Sequence, residues 1–235
     1  LFSLTATITS SAQVPQYAVV RPDGTTTICT SWDSAYSKAV DGGNIYLPGA
    51  TIHSALQIDK RLNIFGAGHN PDSTAATGKT SINASATFLS NSSGSRLEGV
   101  QLAGTIYLQY SGKRIRDILI RRCHFTNLHF TNGSTPTDSL PGNITLAENI
   151  FSTLEGFRAP GNFFLRNIIR TNMNFATGSL FLNNIFLCTS SQFSSIEYCT
   201  FRNNIFASSI PFGNATTCTD IFENNLKIGN SSLLA

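Results

Sequence analysis

Residues able to do acid–base or ionic chemistry are thinly spread in this chain, and their spacing matters more than their number. Cleavage of a glycosidic bond needs two carboxyls held about 5–10 Å apart. The eight Asp include no adjacent pair, and residues 141–228 offer only Glu148, Glu155, Glu197, Asp220 and Glu223, at positions that do not pair clearly. A Ca2+ site needs several acidic oxygen ligands. None is visible in the sequence, although a Ca2+ site assembled from distant residues stays open. Of His53, His69, His124 and His129, only the last two come near metal-ligand spacing. Five residues apart in a strand, they fall on opposite faces or across a bend, which argues against shared coordination. The five Cys (29, 123, 188, 199 and 218) form no CxxC pattern and read as buried small apolar side chains. Cys199 and Cys218, one repeat apart, are a candidate disulfide pair. No catalytic residue, metal ligand or cofactor site is assigned.

One dense charge cluster exists: Lys113, Arg114, Arg116, Arg121 and Arg122, with His124 just beyond. Such a patch on a flat flank would hold an acidic polysaccharide through bidentate carboxylate or sulfate contacts. In a metal-free lyase, Arg121 or His124 would be the base. A competing reading is specific too. Arg122, Glu148 and Arg166 hold equivalent places in three successive repeats, so they would form an Arg–Glu–Arg ladder that neutralises itself, each exposed pair being of little net worth.

The stretch GAGHNPDSTAATGKTS resembles nucleotide-binding loops but fits neither. The GxGxxG pattern lacks its third Gly, where Pro71 stands, and GxxxxGKT would need Gly in place of Ser73. It reads as a surface loop.

The elements that must carry these residues are set by a repeat. ITLAENIF, FFLRNIIR, LFLNNIF, TFRNNIF and IFENNLK align on Asn149, Asn167, Asn184, Asn204 and Asn225. Leu146, Phe164, Phe181, Phe201 and Phe222 stand three positions before the Asn; Phe151, Ile169, Phe186 and Phe206 stand two after it, and Lys227 breaks that column. A further aromatic series, Phe157, Phe175, Phe193 and Phe212, follows eight or nine positions on. A period near 20 residues without helical spacing predicts one solenoid turn per copy, and stacked strands about 4.8 Å apart turn each column into a ladder. The expected fold is all-β: a right-handed parallel β-helix with inward Phe ladders and an Asn ladder at a corner, Asn tolerating the left-handed backbone that a corner needs. Ile150, Ile168, Ile185 and Ile205 follow the Asn directly. Strict alternation points them outward as an apolar stripe able to meet a second subunit or a ligand, unless bending at the corner buries them.

Upstream, residues 17–30 read as a strand and turn through Pro22-Asp23-Gly24. Ser31 caps a short helix over about 31–41, whose apolar face is Trp32, Ala35, Tyr36, Ala39 and Val40, a lid for the first turn of the solenoid. Residues 1–12 read as the remnant of a signal peptide with Ser10 and Ala12 at a cleavage site, and 13–235 as one β-helix domain whose regular rungs span about 141–228. Cys123 takes the Asn place in an earlier, less regular rung. Charged residues make up 12% of the chain, hydrophobic ones 41%, and the net charge of +3 is too small to argue for nucleic acid. No run approaches the 18 apolar residues of a membrane span.

The order of a capping helix, GGNIYLPGATIHSALQIDKRLNIFGAGHNPDS, irregular rungs and NNIF rungs resembles secreted right-handed β-helix proteins of the pectin-lyase-like superfamily. More narrowly, it is similar to cell-surface β-helix proteins of Bacteroidota. That resemblance implies an extracellular protein, either a non-enzymatic scaffold, adhesin or glycan-binding module, or a polysaccharide lyase or glycoside hydrolase acting on acidic polysaccharide. The GHG and RIK motifs and the paired Asp of the hydrolases are not in this sequence.

Overall fold

A computed structural model describes residues 14–69, 78–109, 112–131, 140–157, 160–187, 193–207 and 220–228. Its strands stack into three columns. The first column runs through Asn44–Tyr46, Asn63–Phe65, Arg96–Glu98, Leu119–Arg121, Thr145–Ala147, Phe163–Leu165, Leu180–Leu182, Thr200–Arg202 and Ile221–Glu223. The second holds Thr51–Ile52, Ser81–Ile82 and Gln101–Leu102, the opening residues of His124–Thr131, Ile150–Phe157 and Ile168–Thr177, then Ile185–Phe186, Ile205–Phe206 and Leu226–Lys227. The third holds Leu56–Ile58, Ala86–Phe88 and Thr105–Gln109, the later residues of those three long strands, and Phe193–Glu197. Every pairing between rungs is parallel. The chain is a parallel β-helix, and its rungs start at Asn44, well before the regular repeat.

Alternation puts one face of each strand inside. Phe164, Phe181 and Phe201 are buried and stacked, with centroids 4.4 and 4.6 Å apart and planes within 6°. Phe125 stacks on Phe151 at 5.1 Å and Phe186 on Phe206 at 4.7 Å. The two ladders meet across the core edge to face, Phe181 to Phe186 at 6.2 Å and 52°, an arrangement that adds to area burial for aromatic pairs. The expected third aromatic series is out of register. Phe157 is in register with Ala176, while Phe193 is in register with Met173. An extra residue in Ile168–Thr177, where Arg170 and Thr171 stand opposite Ser152, and a longer run from Phe186 to Phe193 shift the third column, so an equal distance from the Asn does not give an equal rung position. Phe212 lies outside the described residues, as do residues 1–12 and Cys218.

The corner between the first and second columns is a two-residue device. Glu148, Arg166, Asn183, Asn203 and Asn224 have φ between 53° and 59°. Left-handed backbone thus belongs to the residue before each ladder Asn, which corrects the expectation that the ladder residue itself adopts it. In the Asn-Asn pairs, the first Asn turns the corner and the second forms the ladder. Gly99 (φ 71°) takes the same turning place two rungs earlier, where a Cβ on the neighbouring Gly66 would run into its carbonyl oxygen.

At the N-terminal end, Tyr17–Val20 pairs antiparallel with both Thr26–Cys29 and Asn44–Tyr46. The hairpin therefore occupies the open edge of the first column, a closure the sequence reading did not include, and it denies that edge to another chain. The helix is Trp32–Lys38, with the Ser34 N–H donating to Ser31 Oγ at 3.2 Å. Trp32, Ala35 and Ala39 are buried, whereas Val40, expected on the same face, is 41% exposed because the helix ends before it. Tyr36 Oη accepts from the Asp59 N–H and Lys60 Nζ donates to the Tyr36 and Ala39 carbonyls, tying the helix to the first rung.

Candidate functional site on the outer wall

The Asn ladder is architecture. From Asn167 onward, each ladder Oδ1 accepts the backbone N–H and the Nδ2 of the Asn one rung earlier, as Asn204 does from Asn184 at 2.8 and 3.1 Å. Each Nδ2 also reaches a main-chain carbonyl of the earlier rung: Asn149 to Ile120, Asn167 to Leu146, Asn184 to Phe164, Asn204 to Phe181 and Asn225 to Phe201. Asn149, Asn167, Asn184 and Asn204 are buried, so no ligand role is open to them. Cys123 occupies the equivalent place, its N–H donating to Asn149 Oδ1 and its thiol directed at the Leu97 carbonyl. Burial pushes that thiol up to about 12, which makes it a poor nucleophile at neutral pH.

The basic cluster separates into two groups. Lys113, Arg114 and Arg116 precede the first column, at the corner where the chain enters it, and Arg121 and Arg122 stand where it leaves. The Arg114 guanidinium lies over Gly142, where a Cβ would strike it. Arg121 donates twice to Glu148, at 3.1 and 3.2 Å, and Arg122 once, at 2.9 Å. Arg166 Nη1 lies 3.5 Å from the same carboxylate, and Arg122 also reaches Glu98, which Arg96 holds from the other side. The expected Arg122–Glu148–Arg166 ladder is present, with Arg121 added. The Glu148 carboxyl is held below the usual carboxylate range, chiefly by its hydrogen bond from Arg122.

His124 and His129 are both half-buried on the outer wall, in the second and third columns across the bend. His129 lies 3.5 Å from Glu155 and 6.0 Å, ring to ring, from Tyr107. His124 faces His69, a neighbour 55 residues earlier in the chain. Burial lowers the His124 pKa first, and the charges of Arg170, His69 and Lys79 lower it further. His69 lies outside the sequence-derived cluster, since only folding brings its ring to His124. Below His124 in the same outward row come Ile150, Ile168, Ile185 and Ile205, in register and half-buried, with Leu226 at 56% exposure. The corner does not rotate this stripe into the core. Among the described residues, no three His, Cys, Asp or Glu gather to hold a metal ion, and no helix is long and apolar enough to cross a membrane.

The fold defines the chain as a parallel β-helix protein. No protein-family model matches its sequence, and neither a curated protein nor a solved structure matches it.

Proposed function

We propose that this chain is a secreted or cell-surface β-helix of the pectin-lyase-like kind, serving as a non-enzymatic scaffold or adhesin whose outer wall binds acidic glycan. One observation carries the reading. On the described wall, Glu98, Glu148, Glu155 and Glu223 are each engaged by a basic side chain, while Lys79 and Arg170, near the rungs two steps to either side of His124, form no ion pair with a described carboxylate. Carboxylates held by arginines are poor proton donors, because the ion pair stabilises their charged form. Leftover cations along a straight wall suit an extended polyanion. The stripe Ile150, Ile168, Ile185 and Ile205 offers the same partner, or a second copy of the chain, an apolar rail.

A second reading keeps one specific support. His124 is held toward its neutral form between cations, the state a base needs when a neighbouring charge neutralises a uronate carboxylate. In that reading the chain is a lyase with His124 as base. Arg121 does not fit that role, since both its contacts go to Glu148. A glycan-array screen run beside an absorbance assay for unsaturated products, with and without Ca2+, separates the two. Binding to uronic or sulfated polymers without turnover is expected. Turnover that is lost in a folded His124→Ala protein would replace the scaffold reading with the lyase.

A further inference from the structure

At the corner where the chain enters the first column, a guanidinium sits on a glycine. Ile115 is fully buried, so Arg114 and Arg116 on either side of it face outward together. Arg116 pairs with Gly142 on the next rung in a parallel bridge, and the Gly142 N–H donates to the Ile115 carbonyl at 3.0 Å. Paired residues on neighbouring parallel strands point their Cβ atoms the same way. A Cβ on Gly142 would therefore rise on the face that Arg116 shares. What it would meet there is Arg114: Nη2 first, then Cζ at 3.1 Å and Nε at 3.3 Å. Gly142 does not have left-handed backbone, so its conformation does not call for glycine. The seat of the Arg114 side chain does.

Among the described residues nothing neutralises this pair. Neither Arg114 nor Arg116 forms an ion pair, and neither side chain makes a hydrogen bond. Arg114 Nε is shut off from solvent without a partner, while the residue as a whole is only half-buried. The acid next in the chain, Asp117, stands at a left-handed turn (φ 59°), and its Oδ1 accepts from Asn143 Nδ2. At the other corner Arg121 and Arg122 are held by Glu148. A guanidinium keeps its charge at any physiological pH, and one partly withdrawn from water without a counter-charge is unfavourable. An oxyanion on its fork offsets that cost with two charge-assisted hydrogen bonds. The Nε–Nη2 edge lies nearest Gly142, which leaves the end of the fork, Nη1 and Nη2, for the anion.

We propose that Arg114, with Arg116 beside it, binds one oxyanion group, a sulfate or carboxylate such as acidic sugars carry, and that Gly142 provides the seat that positions the Arg114 fork. The site deepens the glycan reading and rests on it for the source of the anion, not for the anion itself.

The test is a titration of the full chain with sodium sulfate, sodium chloride holding ionic strength constant, with affinity read by calorimetry and location by arginine Nε–Hε NMR. The Arg114 signal, assigned by its loss in Arg114→Ser, is expected to shift and saturate. Arg114→Ser and Arg116→Ser should each weaken sulfate binding about tenfold, the loss of one charge-assisted contact. Gly142→Ala keeps every charge and displaces only the end of a flexible side chain, so it should melt like wild type yet bind sulfate severalfold more weakly. Arg121→Ser, at the other corner, should leave the affinity unchanged. If Gly142→Ala does not fold, Arg114→Lys, which keeps the charge and loses the fork, makes the same distinction. An Arg114 signal indifferent to sulfate, or equal affinity in wild type and Arg114→Ser, overturns the site; full affinity in a folded Gly142→Ala overturns the role of the glycine. Sulfate binding with no affinity for uronic or sulfated oligosaccharides upholds the site and removes the glycan reading. Oligosaccharide binding that Arg114→Ser leaves intact upholds that reading and overturns the site as its anchor.

Discussion

Asn184 carries three structural duties at once. It accepts the Asn167 N–H and Nδ2 at 2.9 and 3.0 Å, donates to the Phe164 carbonyl at 2.7 Å, and passes the ladder on to Asn204. Asn184→Ala or Asn204→Ala leaves buried donors and a buried carbonyl without partners, and is expected to cost about 1–3 kcal/mol in equilibrium denaturation. Wild-type stability in both variants would show that the ladder bonds contribute nothing net. Glu148 makes a different residue-scale prediction. Its folded-state pKa lies below the ordinary 4.5, so the folded protein binds that proton less readily than the unfolded chain. Its contribution is therefore present above that ordinary value and lost as pH falls through the folded one. Glu148→Gln should lower stability at neutral pH, where that contribution is present, and flatten the acid limb of the stability profile below about pH 4.5. An unaltered acid limb would mean that the arginines do not hold this carboxylate in solution.

At the scale of the element, stability lies in the stacked columns. Phe186 and Phe206 are buried and mutually stacked, and changing either to Ala is expected to cost about 3–5 kcal/mol by opening a cavity in a ladder that cannot collapse along its axis. A loss under about 1 kcal/mol for both would contradict the rung alignment. Cys123 tests the ladder's grammar from the other direction. Its thiol already points along the path of a ladder amide, toward Leu97 O, so Cys123→Asn should fold and match or exceed wild-type stability. The same change at buried Ile120, in the apolar column, should be strongly destabilising. These elements were legible in the sequence because one residue type does one job at a fixed offset: Asn at the ladder, Phe on the two inner faces. The third column is not legible from a fixed offset because a bulge in Ile168–Thr177 and a longer run before Phe193 change the count from rung to rung. The turning residue was assigned one position late because Glu148, Arg166 and Asn183 share a backbone conformation rather than a side-chain chemistry.

At the scale of the whole molecule, the described residues form nine rungs from Asn44 to Lys227, closed at the N-terminal end by a hairpin and a helix. Rung spacing of about 4.8 Å gives the wall a repeat along its axis and an overall length suited to extended polymers. The candidate site was only partly legible for the same reason that the fold was: register, not sequence distance, decides which residues meet. Lys113 to His124 is a cluster along the chain, yet folding divides it between two corners and neutralises Arg121 and Arg122, while His69 arrives beside His124 from 55 residues earlier. The binding claim is tested most directly by calorimetric titration of the full chain with polygalacturonate at two ionic strengths. Screening lengths shorten from about 30 Å at 0.01 M to about 8 Å at 0.15 M, so binding through uncompensated surface cations should be measurable at the lower salt and fall steeply at the higher. Affinity that is unchanged between the two, or no binding at the lower, would contradict the account.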